Sequence, residues 1–401
     1  MLTRYHIRPT HGWLNDPNGV TYGDGRWHVF FQHNPAAPVH DRIHWGHVSS
    51  SDLVTWTEHP VAFGPQAGGP DEFGCWSGVF APGLERPAVV YSGVRDAGGQ
   101  STVCLRWGSD DLLTWSDPIV VARTPYEAGV EIMRDPFLFQ WQERSWALLG
   151  AGLVDGRAAV LVFSCDDPLA WRYEGRLATS DEPILREVPR AEIWECPQVA
   201  IVDGQLVLVL SCWFQGVLGD VVWVAGRFEP TASIPRFVGT GWGRVDDGAS
   251  FYAPQLVATP DGPLLFGWVR SREPHDPDIP VAGCLTLPRR LTWDPTRQGG
   301  QLASSLDPGV ARALRDRGEQ EQLASGRHTV AEQCVVTVPR ATVASLGDPA
   351  MRFEVADATL WFDADVVEIY RAEGPPLTVR GLGAWLLDIP AGVSGVRGPV
   401  I

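Results

Sequence analysis

A recurrence of nearly 60 residues constrains this chain more than any other feature. SSDLVTW ends at Trp56, SDDLLTW at Trp115 and DDPLAW at Trp171, so an Asp-rich turn followed by Leu and Trp returns after 59 and then 56 residues. A second series keeps the step in another phase: Asp16 in NDPNG, Trp76 in GCWSG, Asp135 in RDPF, Glu195 in WECPQ and Phe251 in SFYAPQ, at intervals of 60, 59, 60 and 56. Periods of this length mark stacked supersecondary units. Short apolar runs between the landmarks, punctuated by 43 Gly and 33 Pro, read as strands separated by turns. Five units of four strands predict an all-β fold, a five-bladed β-propeller over residues 1–300. Equivalent points on its blades face one axis.

That geometry changes the meaning of GWLNDPNGV, residues 12 to 20. Alone, Asn-Asp-Pro-Asn-Gly is turn chemistry. With Asp16, Asp135 and Glu195 at one phase of one repeat, each followed within two residues by Pro, three carboxylates distant in sequence are expected to share a funnel. Paired carboxylates beside a cavity are the equipment of glycoside hydrolysis, one as nucleophile or base and the other, with a raised pKa, as proton donor. Glu195 sits in the apolar run AEIWECPQVAIV, which predicts a desolvated carboxyl that holds its proton. Asp16, among turn amides and Asn side chains, is expected to stay ionised.

Charge narrows the partners. The formal net charge is −16 and the sequence contains no lysine. Such a surface repels phosphate backbones and anionic lipid, which argues against nucleic acid or membrane and is compatible with a neutral ligand. No stretch approaches the 18 apolar residues of a membrane span, MLTRYHIRPT carries no secretory h-region, and seven scattered cysteines form no C-x-x-C pair, so a cytoplasmic protein with reduced thiols is expected. His40, His44 and His47 are close enough in VHDRIHWGH to suggest zinc. Their spacing is not that of a helical H-E-x-x-H site, and lining of the funnel mouth needs no metal or cofactor.

WLNDPNG, FFQHNP, HWGHVSSSDLVTW, GCWSG, MRDPF, WECPQ, FYAPQ and LTLPRRL together resemble, in order and over residues 5 to 293, the motif set of glycoside hydrolase family 32, the invertases, levanases, inulinases and sucrose-6-phosphate hydrolases. The resemblance implies a retaining β-fructofuranosidase acting on sucrose or sucrose 6-phosphate, as a monomer or homodimer. Asp16 would be the nucleophile, Glu195 the acid/base, and Asp135 the residue that holds the fructose hydroxyls. Arg134 would keep nearby carboxylates ionised. Asn15, Gln32, Ser77 and Trp268 match positions lining the fructose subsite, with Trp76 and Tyr252 beside them. Cys196 would tune the acid/base it follows. Gln32 and Ser77 could equally satisfy buried backbone, and Trp268 could be blade core.

Three features depart from the family pattern. NPAAPVHDRIHW lacks the Trp of many exo-acting fructan hydrolases, which predicts a short site bordered by His40 and Arg42. Ser250 stands where Asp usually precedes FYA, with Asp246 and Asp247 just upstream. Residues 301–324 read as a linker with a short helix, leaving 325–401 as a β-sandwich-like module that is short for two sheets and leans on the propeller or on another subunit. An exo-acting fructan hydrolase and a fructoside-binding propeller without turnover remain as alternatives.

Overall fold

The computed structural model describes residues 5–271, 279–297, 299–331 and 333–398. Five antiparallel sheets form the blades of a propeller. Blade I comprises Gly12–Gly23, Arg26–Asn34, His44–Ser50 and Thr57–Glu58; blade II comprises Gly74–Phe80, Ala88–Val94, Ser101–Trp107 and Ile119–Arg123. Blade III takes Val130–Trp141, Arg144–Leu153, Ala158–Ser164 and Arg172–Thr179, and blade IV takes Ile193–Val202, Gln205–Phe214, Val217–Phe228 and Phe237–Arg244. Blade V is built from Phe251–Val257, Leu264–Val269, Arg289–Asp294 and Gln301–Leu306. The ring closes where Val281–Ala282 pairs in parallel with Gly12–Trp13 of blade I.

The blades stack face to face, so the middle strands are apolar on both faces. In blade III, Trp146 and Leu148 enter one core with Leu208 and Leu210 of blade IV. Ala147 and Leu149 point the other way, into a core with Val90 and Leu105 of blade II. Period-two alternation thus serves two neighbours at once, and the strand reads as an unbroken apolar run.

Both repeats have a structural origin. Asp52, Asp111 and Asp167 sit at the outer turn of blades I, II and III, where each carboxylate accepts the backbone N–H two residues on, at 2.9, 3.1 and 2.9 Å. These are Asx turns. The second series lies on the innermost strands, and in each blade the pairing slips next to the landmark: between Leu14 and Pro17, Cys75 and Gly78, Arg134 and Phe137, Glu195 and Gln198, and Tyr252 and Gln255. A bulge re-aims a side chain out of the ladder. In three blades the residue before the bulge proline, Asp135, Cys196 or Ala253, has φ of +61°, +48° or +41°, a left-handed backbone uncommon for a residue with a side chain.

The residue after the proline ties the ring together. Asn18 accepts from the backbone N–H of Gly78 at 3.2 Å, and Gln198 accepts from that of Leu256 at 2.6 Å. Gln255 accepts from Val20 N–H at 2.7 Å and donates to the carbonyls of Gly78 at 2.9 Å and Pro17 at 3.2 Å, spanning three blades.

The stretch expected as a linker is more structured than that. Gln301–Leu306 is the outer strand of blade V, and a helix, Pro308–Arg315, follows. Asp307 caps the helix by accepting from Gly309 and Val310, while Val310 and Leu314, one turn apart, are buried. Glu321–Leu323 already pairs with Gly395–Arg397 of the C-terminal module. That module is a separate eight-stranded antiparallel array, a shortened β-sandwich with its own core around Val336, Val343, Leu360 and Trp385.

A buried polar clasp docks the module on the propeller. His6 contacts Asp363 at 2.8 Å and Glu368 at 2.9 Å, and Arg289 of blade V contacts Asp246 at 2.7 Å and Glu368 at 2.5 Å. All five side chains are fully buried. Burial by itself would lower the His6 pKa, but the bonds to Asp363 and Glu368 override it and carry it to about 10. Burial would raise that of Glu368, and Arg289 and His6 instead bring it to about 2. No described helix is long and apolar enough to cross a membrane.

Candidate active site

The bulges of blades I, III and IV deliver Asp16, Asp135 and Glu195 to one cavity of about 890 Å³ on the propeller axis. Asn15, Gln32, His40, Trp76, Ser77, Arg134, Tyr252 and Trp268 line the same cavity. Each carboxylate has its own surroundings.

Asp16 is held by donors. Asn15 Nδ2 reaches one carboxylate oxygen at 3.0 Å, Gln32 Nε2 reaches the other at 3.0 Å, and the Ser77 hydroxyl donates to that second oxygen as well. Even so, burial dominates: it raises the pKa to about 6, with Glu195 adding to the rise and the Ser77 bond opposing it. The expectation of an Asp kept ionised by turn amides understated the desolvation.

Glu195 does not lie in the purely apolar setting its sequence neighbours suggest. Trp194 and Cys196 flank it along the strand, but its carboxylate faces the cavity. There it accepts from the Tyr252 hydroxyl at 2.7 Å and lies 3.0 Å from Arg134 Nε. The Arg134 N–H does not point along that contact, which makes it an ion pair rather than a directed hydrogen bond. Arg134 also packs over Trp76, 5.6 Å from the ring centre.

Asp135 has the least support. Its Oδ2 accepts from the backbone N–H of Cys196 at 3.0 Å, and its own N–H donates to Ser92 Oγ at 2.7 Å. Burial first, then Glu195, raises its pKa to about 8 against the pull of Arg134. Asp16 and Asp135, both buried and both in the field of Glu195, are therefore harder to ionise than free carboxyls.

The other expected residues divide. Cys196 lies beneath the cavity floor with Sγ 3.9 Å from Asp16 Oδ2, where burial pushes its thiol pKa well up. The His40 ring sits edge-on between Trp13 and Trp76, at 6.0 and 5.5 Å. Trp268 packs against Trp13 at 5.7 Å and belongs to both core and cavity wall, its indole N–H buried and without a hydrogen-bond partner among the described residues. Arg42 is not brought in: it occupies an exposed turn with φ +43°, its carbonyl accepting from His44 Nδ1. A turn that must reverse before Ile43 enters the blade points it to solvent. His44 and His47 diverge, because alternate residues of a strand face opposite sides; His47 is buried 2.9 Å from His28 and stacked on Phe30.

Sequence reading missed Trp13, Trp213, Arg270, Met351 and Arg380, which also line the cavity. Trp13 stood in the opening motif, and its indole N–H holds Asn15 Oδ1 at 2.7 Å. Met351 and Arg380 come from the C-terminal module, for which no pattern predicted a share in the site. Ser250 accepts from the backbone N–H of Arg380 at 3.0 Å, so this departure from the family pattern seats the module's strand.

Residues 6–305 match the family model described as glycosyl hydrolases family 32 N-terminal domain. The chain belongs to glycoside hydrolase family 32. Among its family 32 relatives are the sucrose-6-phosphate hydrolases of Bacillus subtilis, 32% identical over 304 residues, and of Klebsiella pneumoniae, 33% over 310; each alignment covers 72% of this chain and 62% or 64% of the relative. The chain therefore spans a little over three fifths of the length of these relatives. Raffinose invertase of Escherichia coli is 30% identical over 332 residues, 76% of this chain and 66% of its own. The family fold extends over the whole chain: a Bombyx mori family 32 β-fructofuranosidase superposes with a TM-score of 0.82 at 22% identity, covering 100% of this chain and 94% of that one. The sucrose-6-phosphate hydrolase of Lactobacillus gasseri gives 0.79 at 21%, covering 100% and 93%.

Proposed function

We propose that this family 32 chain is a retaining β-fructofuranosidase acting on terminal β-D-fructofuranosyl linkages, with sucrose or sucrose 6-phosphate as its substrate. The observation that carries this reading is the delivery of Asp16, Asp135 and Glu195 by three equivalent bulges to one cavity. The names of the sucrose-6-phosphate hydrolases and of raffinose invertase among its relatives support the substrate class.

In the first half-reaction the Asp16 carboxylate attacks C2 of the fructosyl unit. Glu195 gives its proton to the glycosidic oxygen, the C2–O bond breaks, and the aglycone leaves with that oxygen as a neutral hydroxyl. Arg134 and Tyr252 hold the glutamate carboxylate that results. Water then attacks C2, Glu195 takes its proton, and the ester to Asp16 breaks to release fructose with net retention. Asp135 binds ring hydroxyls and tightens on them as positive charge develops at C2. Gln32, Ser77 and Asn15 fix the nucleophile, and Trp76 and Trp268 wall the fructose subsite.

Cys75, Cys104, Cys165, Cys196, Cys212 and Cys284 carry no disulfide, which suits a reducing, cytoplasmic setting. Reducing-sugar release from sucrose, sucrose 6-phosphate, inulin and levan tests the assignment. The kcat/KM on a disaccharide should exceed that on either polymer at least about tenfold; equal or better activity on the polymers would transfer the assignment to fructan trimming. Absence of release from all four would leave a binding protein.

A further inference from the structure

Three arginines line the cavity, and two are neutralised. Arg134 is paired with Glu195 at 3.0 Å, and Arg380 with Asp365 at 2.8 Å. Arg270 has no carboxylate in ion-pair range among the described residues. Its guanidinium is held by two neutral backbone carbonyls, of Leu218 at 2.9 Å and of Ala249. Asp220, the one acid among the described residues whose field reaches it, is already engaged by Arg244 at 3.1 Å. This occurs in a chain of net charge −16, where carboxylates outnumber cations. A partly desolvated guanidinium left without a counter-charge is costly, and an anion arriving in the cavity would relieve the cost. Beside it, the Ser271 hydroxyl is buried with no hydrogen-bond partner among the described residues.

The position of Arg270 says which part of a ligand it meets. It packs over the ring of Tyr252, 5.9 Å from the centre, and Tyr252 bonds Glu195 on its other side. Contacts run from Glu195 on blade IV through Tyr252 on blade V to Arg270 and form a wall separate from Asp16 and Trp76 on blades I and II. A sugar leaving from Glu195 lies along that second wall.

Resting on the hydrolase reading above, we propose that Arg270, with the hydroxyl of Ser271, forms an oxyanion site at the aglycone end of the cavity and takes a phosphate monoester on the departing sugar. Guanidinium suits a tetrahedral oxyanion because its planar fork donates two parallel bonds, and Ser supplies a third donor. Arg42, expected from sequence to border the site, is outside the cavity.

The test compares kcat/KM on sucrose 6-phosphate and on sucrose for the full chain and for Arg270→Lys, Arg270→Ala and Ser271→Ala. Wild type should prefer the phosphorylated sugar. The ratio of the two values should fall at least tenfold in Arg270→Ala, through KM more than kcat, and by less in Arg270→Lys, which keeps a point charge. Glucose 6-phosphate should bind wild type more tightly than glucose by calorimetry, and lose that advantage in Arg270→Ala. Equal losses on both sugars would make Arg270 a clasp for Leu218 and Ala249 and overturn the proposal. A wild type that cleaves sucrose without preferring its phosphate would also overturn it, leaving the hydrolase reading intact. Should wild type cleave neither sugar, the hydrolase reading fails, and calorimetry with glucose 6-phosphate decides the oxyanion site separately. Should Arg270→Ala not fold, the same ratio measured in Arg270→Lys and Ser271→Ala decides: a fall supports the oxyanion site, and an unchanged ratio in both overturns it.

Discussion

Asp16→Asn should destroy turnover and at the same time stabilise the fold. Burial raises the Asp16 pKa from 3.8 to about 6. A carboxyl raised in this way costs nothing while both folded and unfolded chains are protonated, below about pH 4. As pH rises, the unfolded chain ionises first and stability falls, until the full cost is reached above about pH 6. Two pKa units correspond to roughly 3 kcal/mol. An amide mimics the protonated acid, but its NH2 must face the donor on either Gln32 or Asn15, and that one mismatched donor returns about 1–2 kcal/mol. The net gain is thus about 1–2 kcal/mol at pH 7.5, or roughly 2 °C in Tm for a chain of this size. Urea titrations of wild type and variant at pH 4, 5, 6 and 7.5 measure it directly. The difference should open between pH 4 and 6 and then stay constant. A variant that is less stable than wild type by the same amount at every pH would refute the claim that the site holds a desolvated charge.

Glu195→Gln keeps size but has no proton to give, so sucrose cleavage should collapse while a fructosyl donor with a good leaving group still forms the covalent intermediate; equal losses in single-turnover experiments would remove Glu195 as the acid. Glu368→Gln should cost about 3–5 kcal/mol because Arg289 and His6 lose their shared buried carboxylate, and a loss under about 1 kcal/mol in urea unfolding would show that the clasp is replaceable. The stabilisation from His6, with its pKa raised to about 10, is complete below about pH 6.5 and lost as pH climbs through 10. His6→Gln should therefore flatten the alkaline limb of the stability profile, and an unchanged limb would place the titrating group elsewhere. Gln255→Ala orphans the buried N–H of Val20 and two carbonyls, and about 2–3 kcal/mol should be lost if the glutamine closes the ring; denaturant midpoints within error of wild type would deny it that role.

What the sequence by itself determined is local and periodic. Asx turns at Asp52, Asp111 and Asp167, apolar runs in strands such as WALLGAGL, and a bulge in every blade, with a proline in four of them, each depend on a few neighbouring residues, and together they prescribe five blades with Asp16, Asp135 and Glu195 at equivalent points. Only the tertiary structure decided the electrostatics of that site and the far side of the cavity. The proton affinities of Asp16 and Asp135 come from desolvation and from the field of Glu195, about 180 and 60 residues away in the chain, and no local pattern encodes such a sum. The same holds for Arg42 and Arg270. One turn aims Arg42 at solvent, whereas the backbone carbonyls of Leu218 and Ala249 hold Arg270 in the cavity. The C-terminal module reaches that cavity with Met351 and Arg380 because a clasp through His6, Arg289 and Glu368 seats it there. A buried ion network specifies a docking geometry only when all its partners meet, and these partners come from the two ends of the chain and its middle.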